Sequence, residues 1–312
     1  MNKWYKLVTI RNTFKKYLII SFLLIVHLAT AQSFEPFAIR YSRLPQAGVN
    51  QADNDQYELV EREPLQVIDV NLRSPFEIGD KGFRLGPFLN YTKAFQEVDN
   101  WAFTGDRPAD ASQFGIGLAA LLPVSKRVSL VSILGADQGT NDGVPWTWDN
   151  NLYKVGLGFI LNMDKTERPY QMGLTLVYTE LLGFPILNLI YKREFSDKWS
   201  VNLALPNYGI IDYSLSENTK IRFEERFSVG RFALSENENN IGSYNISRVT
   251  LSAGILQHIS GPVFFQGSVG LTIWNRSALF DNSNEQLDML RYEIPQPAVN
   301  FGILVNINAK NE

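Results

Sequence analysis

Seven charged side chains stand in the polar faces of alternating runs: Lys154, Lys192, Glu194, Arg222, Glu224, Arg226 and Arg248. Residues two apart on an extended chain share a face. Arg222, Glu224 and Arg226 therefore form a row of alternating sign. On an enclosed face such charges do one of two things. They pair and fill the enclosure, or they make a charged constriction that selects solutes. A second set lies in "ADQGTNDGVPWTWDNN" (136–151). Asp137, Asp142 and Asp149 offer hard oxygen ligands for a cation, and Trp146 and Trp148 offer flat faces for a sugar or planar ligand. The spacing matches no known calcium loop. The plainer reading is a loop turned by Asn-Asp-Gly, with its tryptophans packed on a rim.

Composition narrows the chemistry. The chain has 312 residues and no Cys, so disulfides, thiolate metal sites and lipid attachment at a Cys are excluded. The N-terminus carries Lys3, Lys6, Arg11, Lys15 and Lys16 without an acid, then an apolar run from Leu18 to Leu28, then Ala29-Thr30-Ala31-Gln32. This is the pattern of a secretory signal peptide cut after Ala31. The run falls short of the roughly 20 residues of a spanning helix. The expected domains are a signal peptide over 1–31 and one folded domain over 32–312. That domain keeps 24 basic and 32 acidic residues, a formal charge of −8. The balance excludes nucleic acid as a partner. With a single mature histidine, His258, a His-rich metal site is excluded too. No metal, cofactor or catalytic residue is expected.

The charged residues must be positioned by strands. "NNLYKVGLGFILN" (150–162) sets Tyr153, Val155, Leu157, Phe159 and Leu161 against Lys154, Gly156, Gly158 and Asn162. That is period two over a long run. The same alternation recurs at 170–178, 199–205, 247–255, 263–273 and 297–308, with less regular runs between. Fourteen candidate strands result, of which 36–43 and 207–215 are the faintest; 12 is the alternative count. Short polar turns at 77–82, 123–127, 162–169, 195–199, 216–220 and 259–262 alternate with connections that are mostly longer. No apolar run after residue 31 is long enough for a spanning helix. Such a chain crosses a membrane only as a closed barrel. Strands of ten or more residues suit a tilted bilayer crossing better than a soluble sandwich. Aromatics gather near strand ends, as in an interfacial girdle.

The expected fold is an all-β, transmembrane, up-and-down antiparallel barrel with both termini on the periplasmic side. The apolar faces point into lipid and the charged faces into the lumen. A charge at Leu157 is then costly, and Gly156→Ser is mild. Glu225, between Phe223 and Phe227, falls on the lipid side and predicts a bulge or a loss of barrel contact there. A short helix is expected near 284–290.

"REFSDKWSVNLALP" (193–206), with "TELLGFPILNLIYKREF" (179–195), "SENTKIRF" and "PVSKRVSL", resembles an uncharacterised family of Gram-negative outer-membrane β-barrel proteins. The resemblance is strongest over 110–232. It implies fold and location, with no activity and no catalytic residues to carry over. The partners it implies are outer-membrane lipid and the outer-membrane assembly machinery. Three functions follow from the barrel. A porin-like channel for small solutes comes first, and a non-transporting barrel that binds a ligand or partner through its loops second. A hydrolase using Ser260 and His258 comes last, because His258 lies at a periplasmic turn, away from the outer leaflet.

Overall fold

The computed structural model describes residues 37–44, 49–51, 65–79, 82–95, 110–141, 151–163, 167–180, 182–233, 241–281, 286–292 and 295–305. Seventeen strands form one sheet. They are β1 (Phe37–Leu44), β2 (Val49–Gln51), β3 (Leu65–Arg73), β4 (Phe76–Ile78), β5 (Phe83–Phe95), β6 (Asp110–Pro123), β7 (Val128–Asn141), β8 (Leu152–Met163), β9 (Tyr170–Thr179), β10 (Phe184–Glu194), β11 (Trp199–Leu205), β12 (Tyr208–Ser214), β13 (Thr219–Ala233), β14 (Ile241–Ser260), β15 (Val263–Asp281), β16 (Gln286–Tyr292) and β17 (Gln296–Val305).

Every neighbour in the wall is antiparallel, and β1 closes the ring on β17 through Phe37↔Val305 to Arg43↔Val299. β3 and β4 pair with successive parts of β5, so they are one stave interrupted at Ser74-Pro75. β16 pairs with the outer end of β15, and β2 pairs with β16, above the ring. The wall therefore has 14 staves, with both faint candidates present as β1 and β12. The helix expected near 284–290 is instead strand β16. It continues the β15 hairpin, where backbone pairing overrides local preference. The segment 1–31 lies outside the described residues.

The two faces are sorted as alternation requires. On β8, Tyr153, Val155, Leu157 and Phe159 are exposed, Leu157 at 66 %. Leu130, Leu134, Leu176, Leu187, Val269 and Phe301 are likewise exposed on other staves. So much exposed apolar surface, continuous round the ring, is a lipid-facing band. At the short-turn end, Tyr170, Tyr191 and Phe195 are tilted neighbours, and Trp199 lies 4.7 Å from Tyr213. Arg193 is on the lipid side but turns its guanidinium over Tyr170 and Phe195, at 5.2 and 5.0 Å. A charge near the interface is tolerated this way.

Inward glycines let the wall curve. A Cβ on Gly158 would overlap the Leu174 carbonyl oxygen and stand 2.6 Å from Thr175 Cα. Gly156 is less constrained. Its Cβ would meet side chains, Val177 Cγ2 at 3.0 Å and Ile133 Cβ at 3.3 Å. Gly156→Ser thus forces a small shift of neighbours, more than the alternation alone suggests. Leu157→Arg should lower unfolding free energy by about 2–4 kcal/mol in vesicles. Gly156→Ser should cost less. Equal losses in denaturant titrations of the two refolded variants would show that the strand faces are assigned wrongly.

Candidate functional site

The inward face of β13 carries the row of charges. Arg222 grips Asp212 of β12 with two bonds, Nε to Oδ1 at 2.8 Å and Nη2 to Oδ2 at 2.9 Å. Both side chains are buried. Arg226 donates to Glu224 Oε1. Gln266 of β15 donates to the other oxygen, Oε2, at 2.9 Å. A buried carboxylate held by charge-assisted bonds on both oxygens is rigid. Arg40 of β1 and Arg248 of β14 stand at the same level. Asp69 of β3 joins them and accepts from Thr92 Oγ1 at 2.7 Å. Together they line a cavity of about 50 Å³. That volume holds roughly four water-sized spheres.

Apolar side chains bound this cavity along the barrel axis. Toward the long-loop end, Ala111, Phe232 and Tyr244 turn inward and pack together, with Ala94 and Ile246 against them. The Phe232 and Tyr244 rings are 5.1 Å apart. Here β13 leaves the circle and touches β7, which stands across the ring from it, through the parallel bridge Ala233↔Thr140. The contact is backbone on backbone, because a Cβ at Gly139 would overlap the Arg231 carbonyl oxygen. Gly230 opens the same approach to Gln113 of β6. Toward the short-turn end, Ala38, Leu256, Phe264 and Leu304 form an inward cluster. Ala38 and Leu304 are each only 1 % exposed, and the four side chains come from the consecutive staves β14, β15, β17 and β1.

Of the seven sequence candidates, Arg222, Glu224, Arg226 and Arg248 come together on β13 and β14. Lys154 stands apart, with Nζ 2.8 Å from both oxygens of Asp137 and 5.0 Å over the Phe88 ring. Asp137 is thus a lumen group of β7, not a loop ligand as the sequence reading had it. Lys192 is half-buried on the inner face of β10, and Glu194 is exposed at its short-turn end. Asp142, Trp146, Trp148 and Asp149 lie outside the described residues. Sequence reasoning missed Arg40, Asp69, Asp212, Gln266 and the buried Asn188. All stand at inward positions that alternation marks once the neighbouring register is known.

Two other expectations change. Glu225 does face outward, but the strand carries no bulge there, since its pairing runs unbroken through Gly209↔Glu225↔Leu251. Gly209 stands beside it, and a Cβ there would lie 3.4 Å from Glu225 Oε2. His258 is engaged at both nitrogens, Nδ1 with Asn218 Oδ1 at 3.1 Å and Nε2 with the Gly261 carbonyl at 2.7 Å. It fastens two neighbouring turns. Among the described residues no group of three or more carboxylates and histidines is placed to hold a metal ion.

Solved structures of similar shape are membrane barrels. One is described as the KdgM porin in complex with disordered oligogalacturonate, at 10 % identity, covering 86 % of this chain and 98 % of that one, with TM-score 0.31. Another is the TodX monoaromatic hydrocarbon channel, at 8 % identity, 86 % and 88 % coverage and TM-score 0.40. A third is the translocator domain of the autotransporter NalP from Neisseria meningitidis, at 10 % identity, 95 % and 98 % coverage and TM-score 0.33. No property of these proteins is carried to this chain. No curated protein sequence matches it. A model described as a domain of unknown function (DUF6268) matches residues 28–306, and the chain therefore belongs to that uncharacterised family of outer-membrane β-barrels.

Proposed function

We propose that the protein is a gated channel for small polar solutes across the outer membrane. The observation that supports this reading is the mid-lumen cavity lined by Arg40, Asp69, Glu224, Arg226 and Arg248, with the Phe232–Tyr244 cluster and the β7–β13 bridge on its long-loop side. Paired charges around residual space are a selective constriction. The contact of β13 with β7 narrows the lumen on the long-loop side in this conformation. The reading includes export behind the basic and apolar segment 1–31 and insertion by the outer-membrane assembly machinery.

Planar-bilayer recording tests it. Refolded wild-type protein should show infrequent transitions from a closed level to discrete open levels. Arg226→Ala, which takes one charge from the cavity lining, should change open-state ion selectivity. A folded, heat-modifiable barrel giving no channel events, in wild type and in a variant with the outer contact forced apart, would sink the reading.

A further inference from the structure

The outer surface of the wall changes character toward the long-loop end. On β15 the outward side chains Phe265, Val269, Leu271 and Ile273 are exposed and apolar, and Trp274 ends the run. From Phe265 to Trp274 the strand rises about 23 Å, at about 3.3 Å per residue and a tilt of roughly 40°. An apolar band is about 25 Å tall, so Trp274 stands at its outer boundary. Beyond that level the outward residues turn polar on three adjacent staves. β14 passes from Ile255 and Leu251 to Ser247, Asn245 and Ser243. β13 passes from Phe223 to Arg231, and β15 from Ile273 to Arg276. Alternation fixes the side. Phe232 packs inward on Tyr244, and Asn275 is buried with its Nδ2 on Gln296 of β17, so Arg231 and Arg276 stand on the outer face.

We infer that Arg231 and Arg276 hold the phosphate of a phosphorylated lipid of the outer leaflet. Both side chains are laid flat on the wall. The Arg276 guanidinium lies 3.6 Å over the Trp274 ring, and Trp274 is itself fixed by Nε1 donating to Ser247 Oγ at 3.3 Å. Arg231 reaches across β14. Its Nε donates to Ser243 Oγ at 3.0 Å, and its guanidinium stands 5.1 Å over the Phe280 ring of β15. Stacking uses the face of a guanidinium, whereas a phosphate is bound by its edge. The one arrangement therefore prepares for the other.

The register sets the two arginines at opposite corners of one patch, through Arg231↔Asn245↔Ala278 and Val229↔Ser247↔Arg276. The side chains between them, Asn245, Ser247 and Ala278, are short. The chain as a whole has a formal charge of −3, so bulk charge does not draw it to an anionic leaflet. Two guanidiniums at the level of the lipid phosphates supply the complementarity locally. The acyl chains of the same lipid then run down over Ile273, Leu271 and Val269, which are exposed below. This inference concerns the outside of the wall and does not depend on conduction through the lumen, so the two readings fail separately.

Native mass spectrometry of the refolded barrel in detergent, titrated with bisphosphorylated lipid A, tests the site. Wild type should bind this lipid roughly tenfold more tightly than the same lipid stripped of its phosphates. Arg231→Gln combined with Arg276→Gln should bring the phosphorylated lipid down to the level of the stripped one. Arg193→Gln is the control. Arg193 also stands on the outer face over aromatic rings, but at the short-turn girdle, and its loss should leave the affinity unchanged. Electrophoretic heat-modifiability shows that each variant is a folded barrel. Equal affinity for the two lipids, or an unaltered affinity in the double variant, would overturn the phosphate site. A loss in Arg193→Gln as large as in the double variant would overturn its location.

Discussion

Gly139→Val should open the barrel at its outer end. Its Cβ would occupy the space of the Arg231 carbonyl oxygen, so β7 and β13 cannot keep their bridge. The oxygen is backbone on both flanks and has no rotamer to move aside. Overpacking of this kind costs about 1–3 kcal/mol. If the cost falls on the closed form, the open form rises by roughly one to two powers of ten in relative population. Open probability in planar bilayers should rise accordingly, while electrophoretic heat-modifiability persists, because the bridge lies outside the closed ring of pairings. Phe232→Ala attacks the same closure from the side chains and should act in the same direction. If Gly139→Val leaves open probability unchanged in a folded barrel, this contact is not the gate.

The second large effect is on stability. Asp212→Ala removes the carboxylate that holds Arg222 with two bonds. The guanidinium is left in a lumen that gives it little water. Breaking one side of a buried pair costs about 3–5 kcal/mol. Replacing both residues, Asp212→Ala with Arg222→Met, should cost clearly less, because no unpaired charge remains. Urea unfolding from vesicles measures both, and the double-mutant cycle isolates the pair. Equal losses in the single and the double variant would show that the pair contributes shape and not charge compensation.

The fold was legible where one face meets lipid, because a bilayer selects apolar side chains at every second position, with Arg193 and Glu225 as departures. β8, β9 and β17 show it plainly, and their exposed faces are the ones alternation marks. It faded where strands leave the bilayer. Gln138 and Thr140 sit on the outward side of β7 yet are buried at 6 % and 4 %. That polar run read as the beginning of a loop and hid Asp137 as a partner for Lys154. The row on β13 was visible because three charges fall two apart on one strand. Asp212, Asp69 and Arg40 were not, since each is a single charge whose company depends on register between strands distant in sequence. The meeting of β7 and β13 leaves almost no local trace. Its one sign is a glycine at 139, and a glycine alone does not say what comes close.

The joining of β1 to β17 bears on how the molecule assembles. Phe37 waits for Val305, the far end of the described chain, before its outer edge is covered. Every other stave pairs with a neighbour close behind or ahead in sequence, at low loop-closure cost. The sheet thus grows by adding hairpins to one side, and keeps two bare edges until the last strand arrives. Such edges recruit other chains. The slow and vulnerable stage of this protein's folding is therefore the growing sheet before closure. Weakening the seam, at Ala38↔Leu304 for example, should show first as a lower yield of assembled barrel, ahead of any lower stability once the ring has shut.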